Sequence, residues 1–337
     1  MNKQQLETIA QAMVAKGKGI LAMDESTGTS TKQFTALGIE STAEKRRAYR
    51  SMLLTTPNLS DFIAGAILYD ETIRQQIVGS DTPMPTYMAE NGIIPGIKMD
   101  TGAHPLAGHP NEKVTEGLDG LRERLAEYAA MGARFTKWRA VITIGNGLPT
   151  RGCIEANAHA LARYAALAQE AGLVPIVEPE VLINGDHSIE RCYEVTAVIL
   201  QTVFQELFYQ GVHLEGIILK PSMVIAGQDC PQQASPEQVP AETVRCLRNG
   251  VPTAVPGIAF LSGGQTAAQA TQHLSLMNQL GSLPWALTFS YGRALQGEAL
   301  QTWRGNEANN QAAQAALYQR AKLVGAASIG QYAPEME

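Results

Sequence analysis

The stretch LEGIILKPS, residues 214–222, puts a lysine where lysines are rare. Residues 216–219 form a short apolar run with β-branched side chains, the pattern of a buried strand. Lys220 ends that run, and Pro221 has no N–H to continue a ladder. Removal from water lowers a lysine's pKa, and a neutral amine is a nucleophile that can form a Schiff base with a carbonyl. The plainer alternative is a lysine that snorkels out at a sheet edge.

Other residues would serve that chemistry. Glu178-Pro179-Glu180 sends two carboxylates from the end of the run 173–177, and Pro179 is expected to fix a kink there. Asp24 closes the run 20–23. Beside a nucleophilic lysine such groups act as general acid or base; beside several lysines they also serve as ordinary ion-pair partners. Lys98, Lys137, Arg139 and Arg293 lie at or near the ends of further runs. Lys137 close to Lys220 would disfavour the charge on Lys220. Five cations converging would make a strongly cationic mouth, suited to a substrate with phosphate at one or both ends. Ser262-Gly263-Gly264 precedes a helix expected over 265–280, and Ser290-Tyr291-Gly292-Arg293 repeats the arrangement. Glycine lets the backbone approach a ligand, and a helix start offers unpaired N–H groups to an anion. One S-G-G is usually only a turn; two such turns after two strands are a stronger sign.

These residues need elements that bring them together. Eight short apolar runs cover 20–23, 62–68, 93–97, 134–141, 173–177, 216–219, 257–261 and 283–289. Helical spacing covers 3–16, 42–54, 112–131, 153–171, 188–209, 240–248, 265–280 and 308–324. Strands alternating with helices argue for a parallel sheet, and eight such units for an α/β fold of the (β/α)8 TIM-barrel type. An open doubly wound sheet is the rival, but no G-x-G-x-x-G follows the first run. Without a linker-like break the chain reads as one domain over 1–337, with 229–240 as a surface loop. In a barrel, strand C-terminal ends meet at one mouth, where active sites sit.

Composition narrows the classes. At 45% hydrophobic and 17% charged, the chain has the make-up of a globular protein. Its net charge is -6, with acids and bases interspersed, so neither nucleic acid nor membrane is expected as a partner. Cys153, Cys192, Cys230 and Cys246 lack disulfide-framework or C-x-x-C spacing, which points to a reducing, cytoplasmic setting. The N-terminal stretch lacks a signal peptide's apolar core, and no run nears the roughly 20 residues that cross a bilayer. The six histidines, His104, His109, His159, His187, His213 and His273, show no metal-ligand spacing, so no metal and no cofactor is expected.

Six segments in order, GILAMDESTGT, FTKWRAVI, VPIVEPEVL, LEGIILKPSM, FLSGGQT and ALTFSYGRALQ, resemble the successive motifs of class I fructose-1,6-bisphosphate aldolase. The resemblance runs over roughly residues 15–305. It implies a metal-free (β/α)8 barrel that reversibly cleaves fructose 1,6-bisphosphate to dihydroxyacetone phosphate and glyceraldehyde 3-phosphate. It implies Lys220 as the Schiff-base lysine and Glu178 as general acid/base for carbinolamine dehydration, with Glu180 beside it. Asp24 would take the hydroxyl proton or hold Lys220 in place, and Lys137 would stabilise charged intermediates. Ser262, Gly263, Gly264, Ser290, Gly292 and Arg293 would hold the ketone-side phosphate; Ser26, Lys98 and Arg139 would serve the aldehyde side. The resemblance also implies a homo-oligomer, usually a tetramer. Arg46 matches an arginine sometimes given to substrate, but its charged helical surroundings favour a solvated face.

Two departures stand out. Lys32 is followed by Gln33, where many animal members carry arginine, which removes one aldehyde-side contact. Those members also end in a tail whose terminal tyrosine assists proton exchange. YAPEME at 332–337 does not match that tail, and Tyr332 is not given its role. The competing readings are a transaldolase-like transfer by the same lysine chemistry and a non-catalytic barrel that binds a ligand. Loss of Lys220, Glu178 or Asp24 would favour the last, and all three are present.

Overall fold

The computed structural model describes residues 2–337. In chain order the strands are β1 (Gly19–Ala22), β2 (Ile63–Leu68), β3 (Ile94–Lys98), β4 (Gly102–Pro105), β5 (Lys113–Glu116), β6 (Phe135–Ile142), β7 (Val174–Val181), β8 (Ile218–Leu219), β9 (Gly257–Phe260) and β10 (Ala286–Tyr291). Eight of them close into a parallel barrel in the ring order β1-β2-β3-β6-β7-β8-β9-β10, and β10 pairs back to β1. These are the eight apolar runs, so the TIM-barrel reading holds. β4 and β5 form a separate antiparallel hairpin.

The helices are α1 (Lys3–Met13), α2 (Thr27–Ala36), α3 (Ala43–Leu54), α4 (Asp70–Ile73), α5 (Met84–Glu90), α6 (Leu121–Ala130), α7 (Arg151–Glu170), α8 (Ile189–Tyr209), α9 (Gln238–Gly250), α10 (Ala267–Gln279), α11 (Arg293–Trp303) and α12 (Asn310–Ala327). The helix expected over 112–131 forms only from Leu121. Before it, Val114 and Thr115 pair in the hairpin, and Gly117 and Gly120 take left-handed φ values of 124° and 62° that end any helical register. Periodicity did not reveal α2, α4, α5 or α11.

Side-chain parity builds the interior. Ile20, Ala22, Ile67, Phe135, Val174, Ile176, Ile218 and Ala259 form one buried cluster with Leu6, Ala10, Met13 and Val14 of the α1 region. Helix α1 therefore plugs the N-terminal end of the barrel. A Cβ on Gly257 would lie 2.5 Å from Val14, so glycine admits this plug. The Phe135 ring fills the middle: a Cβ on Gly96 would lie 2.2 Å from it, and one on Gly65 2.9 Å. Stepping two residues along the strands from this layer reaches the other end of the barrel. There the inward positions become Asp24, Lys98, Lys137, Arg139, Glu178, Glu180, Lys220 and Ser290.

Candidate active site

Apolar strands carry charged ends here because the same alternation that fills the core continues past it. β7 shows this best. It runs unbroken through Glu178, Pro179 and Glu180, in register with Arg139, Ala140 and Val141 of β6. No kink occurs at Pro179, contrary to the sequence reading. Val177 and Val181 both bond toward the β8 side: Val177 O accepts from Lys220 N–H at 2.8 Å, and Ser222 Oγ meets Val181 N–H at 3.0 Å. The missing N–H of Pro179 faces that same side, where β8 has already ended at Leu219. Both carboxylates thus leave a straight strand on one face.

Four side chains from β6, β7 and the ends of β1 and β8 form a buried charge cluster. Lys220 Nζ lies 3.3 Å from Glu178 Oε1, and Lys137 Nζ lies 3.3 Å from Glu178 Oε2 and 2.6 Å from Asp24 Oδ2. All four are buried. For Lys220 burial is the main influence and lowers the amine's pKa; Glu178 offsets part of this and Lys137 adds to it. For Lys137 burial also acts downward, but Asp24 and Glu178 outweigh it and hold the ammonium well above the ordinary lysine range. Burial would raise Asp24, yet the field of Lys137, Lys220 and Lys98 holds it at about 2. Glu178 is lowered for the same reason: Lys137 and Lys220 overcome its burial. Two neighbouring lysines are therefore driven apart, one toward the neutral amine and one locked as a cation.

The cluster floors a cavity of about 460 Å³. Asp24, Ser26, Lys98, Lys137, Arg139, Glu178, Glu180, Lys220, Ser262, Gly263, Gly264, Ser290, Gly292 and Arg293 all line it, so the structure brings together every site residue the sequence singled out. Glu25, Thr29 and Gln33 line it too. Sequence reasoning gave Glu25 no role, although it adjoins Asp24. Burial and Asp24 push its carboxyl up to about 7, and Gln296 donates a hydrogen bond to it.

The mouth is not strongly cationic overall. Five lining cations face four lining carboxylates, Asp24, Glu25, Glu178 and Glu180. Buried cations need counter-charges, and the fold supplies them. Arg139 donates to Glu180, and Lys98 sits 3.3 Å from Asp100, whose other oxygen accepts from Arg139 N–H at 3.2 Å. Arg293 is exposed, and among the described residues no carboxylate pairs with it. Free positive charge is thus concentrated at one rim.

The two glycine turns differ. Gly292 directly caps α11 with no side chain bonded to the helix end, so first-turn N–H groups stay available beside Arg293. After β9, the helix α10 starts only at Ala267, and Thr266 with Gln269 closes its end in a capping box. There the backbone that faces the cavity is the turn itself, with Gly263 and Gly264 at φ values of 57° and 88°. Ser26 serves the fold as well, since its Oγ accepts from Thr29 N–H at the start of α2.

Arg46 is not on a solvated face. It is 7% exposed and grips Glu71 through two bonds of 2.9 Å and 2.6 Å. Arg50 reaches the same carboxylate at 3.1 Å and donates to Glu25 O. Both arginines brace the shell behind β1. Among the described residues no cluster of three or more His, Cys, Asp or Glu side chains is arranged to hold a metal.

Known proteins carry the same plan. The family model for fructose-bisphosphate aldolase class-I matches residues 5–337. The chain is 61% identical to a probable fructose-bisphosphate aldolase class 1 of Xanthomonas campestris, over 98% of this chain and 99% of that one. It is 49% identical to the muscle-type fructose-bisphosphate aldolase of Lethenteron camtschaticum, over 98% and 92%. The Plasmodium falciparum fructose-bisphosphate aldolase, solved in complex with TRAP and a small-molecule inhibitor, superimposes with a TM-score of 0.97 at 48% identity, covering 98% and 96% of the two chains. With likeness of that depth over almost its whole length, the chain belongs to the class I fructose-bisphosphate aldolase family.

Proposed function

We propose that the chain cleaves fructose 1,6-bisphosphate reversibly to dihydroxyacetone phosphate and glyceraldehyde 3-phosphate, with Lys220 as the Schiff-base lysine. The observation that carries this is the pairing of Lys220 with Glu178 at 3.3 Å on the floor of a cavity of about 460 Å³. Lys220 hands its ammonium proton to Glu178, the neutral amine attacks the ketone carbon, and a proton shed by its nitrogen moves to the carbonyl oxygen to give a carbinolamine. Glu178 passes a proton to that hydroxyl, water leaves, and an iminium remains. The Glu178 carboxylate left by that step then takes the C4 hydroxyl proton, and the C3–C4 bond breaks. Its electron pair moves into the iminium as an enamine, and the aldehyde departs. Protonation of the enamine and hydrolysis release the ketone product and restore Lys220.

Neither role expected of Asp24 fits its environment, since its ion-pair partner is Lys137 while Lys220 pairs with Glu178. A carboxylate with a pKa of about 2 is a weak base, and its short contact is to Lys137. Asp24 fixes Lys137 beside the reacting carbon, and Glu180 fixes Arg139. Ser262, Gly263, Gly264, Ser290, Gly292 and Arg293 take the ketone-side phosphate. Ser26, Lys98 and Arg139 take the other. Borohydride added with substrate should leave the reduced sugar on Lys220, located by mass spectrometry of the digest. Lys220→Ala should lose both the adduct and turnover, and a chelator should leave turnover intact. Turnover surviving in Lys220→Ala would remove the reading.

A single catalytic domain over 1–337, a cytoplasmic setting and a homotetramer complete the proposal on the strength of the family. Native mass spectrometry tests the last.

A further inference from the structure

The turn after β9 lacks the usual support for a phosphate cradle. Two consecutive glycines in left-handed conformations are the most permissive backbone a chain can have, and order there must be imposed from outside. The start of α10 does not impose it, because Thr266 and Gln269 spend their capping bonds on each other. Gln265 is the side chain that reaches back into the turn. Its backbone N–H and its Nε2 both donate to Ser262 O, at 3.1 Å and 3.2 Å. The same Nε2 lies 3.4 Å from Met223 Sδ, three residues beyond Lys220. Its Oε1 meets His273 Nδ1 at 2.6 Å.

This network fixes its own hydrogen placement. The Gln265 nitrogen must face Ser262 O, since a carbonyl oxygen there would oppose another acceptor. Its Oε1 therefore accepts, and His273 carries its proton on Nδ1. His273 is 5% exposed, and burial drops its pKa to about 4 against the pull of Glu237, so the ring is a neutral single donor.

We propose that Gln265 and His273 are positioning residues for the ketone-side phosphate. His273 orients the Gln265 amide, and the amide pins Ser262 and the two glycines in the conformation that receives the anion. This rests on the assignment of Ser262, Gly263, Gly264 and Arg293 to that phosphate.

The test compares His273→Leu, His273→Asn, Gln265→Leu and Arg293→Ala. It uses turnover of fructose 1-phosphate and the dihydroxyacetone phosphate concentration that half-saturates borohydride trapping at Lys220. Loss of one or two fixing bonds should raise KM and the half-saturating concentration about 5-fold in His273→Leu and Gln265→Leu. The loss should fall on KM rather than kcat. His273→Asn, which keeps an N–H near the Nδ1 position, should recover most of it. If His273→Leu does not fold, Gln265→Leu at a half-buried site gives the same reading. An unchanged KM in Gln265→Leu with a raised KM in Arg293→Ala overturns the inference and leaves the phosphate assignment standing. An unchanged KM in Arg293→Ala removes that assignment and the inference with it. A defect in His273→Asn as large as in His273→Leu also overturns it, because packing rather than hydrogen bonding would then be at work.

Discussion

Glu178 Oε1 lies 3.3 Å from Lys220 Nζ, and each side chain is 4% exposed. This carboxylate supports the lysine's charge, and in the proposed mechanism it also passes a proton to the hydroxyl formed on the carbon that Lys220 attacks. Glu178→Gln keeps the shape and removes the proton carrier. Imine trapping should slow by roughly 100-fold or more, the usual worth of general acid–base help. Glu178 acts upward on the Lys220 pKa while burial and Lys137 act downward. Without it, the pKa falls further. Trapping rises with pH as the amine loses its proton, so that rise should shift to lower pH in the variant. A pH profile of single-turnover trapping checks both.

Lys137→Met should fold, because the thioether fills most of the same volume, but it leaves Asp24 without its 2.6 Å partner. Imine formation should drop by about 100-fold or more. Normal trapping kinetics in this variant would refute the role of Lys137.

The two rims should separate by substrate. Arg293→Ala removes a charged donor from the ketone side and should weaken fructose 1-phosphate and fructose 1,6-bisphosphate alike, by about 10-fold or more. Lys98→Ala should raise KM for the bisphosphate and leave the 1-phosphate nearly unaffected. Matching losses on both substrates in Lys98→Ala would move that lysine off the aldehyde side.

Asp24 also makes stability depend on pH. Its pKa is lowered from 3.8 to about 2, so the unfolded chain binds a proton that the folded one resists. The stabilisation is complete above pH 3.8 and disappears as pH falls toward 2. It amounts to about 2 kcal/mol. Denaturant titrations between pH 5 and 2 should show a shallower decline in Asp24→Asn than in the parent chain.

Gly96→Ala would press a Cβ to 2.2 Å from the Phe135 ring. Overpacking of this kind costs about 1–3 kcal/mol. Because Phe135 lies one layer below Lys137 on the same strand, kcat should fall with stability. Phe135→Leu in the same chain should restore part of both, read as Tm and kcat.

Much of this was legible in the sequence because barrel strands are buried on both faces and read as unbroken apolar runs. A charged residue at the end of such a run is conspicuous, which is how Lys220, Glu178 and Asp24 could be found. Ambiguous segments were those whose structure comes from tertiary partners. Residues 112–120 carry helix-compatible spacing, yet Thr115 Oγ1 donates to Arg139 O at 2.7 Å and the segment pairs as a hairpin. Helix α2, TGTSTKQFTA, is poor in apolar periodicity and begins because Ser26 caps it. Charge balance was invisible for a similar reason. Asp100 and Glu25 look like ordinary surface acids until folding sets them against Lys98 and Asp24. Arg46 misled because a helix rich in charges was expected to face water, whereas Glu71, from another element, meets it.

The continuous pairing of β6 with β7 has a consequence for how this enzyme can diverge. Adding or deleting one residue between 135 and 142, or between 174 and 181, would reverse which alternate side chains enter the barrel. Lys137, Arg139, Glu178 or Glu180 would then face the surrounding helices, and Trp138 or Val177 would face the sugar. Lineages can therefore vary the rim loops that carry no residue of the cavity, while the lengths of these two strands are constrained by the side chains they place in it.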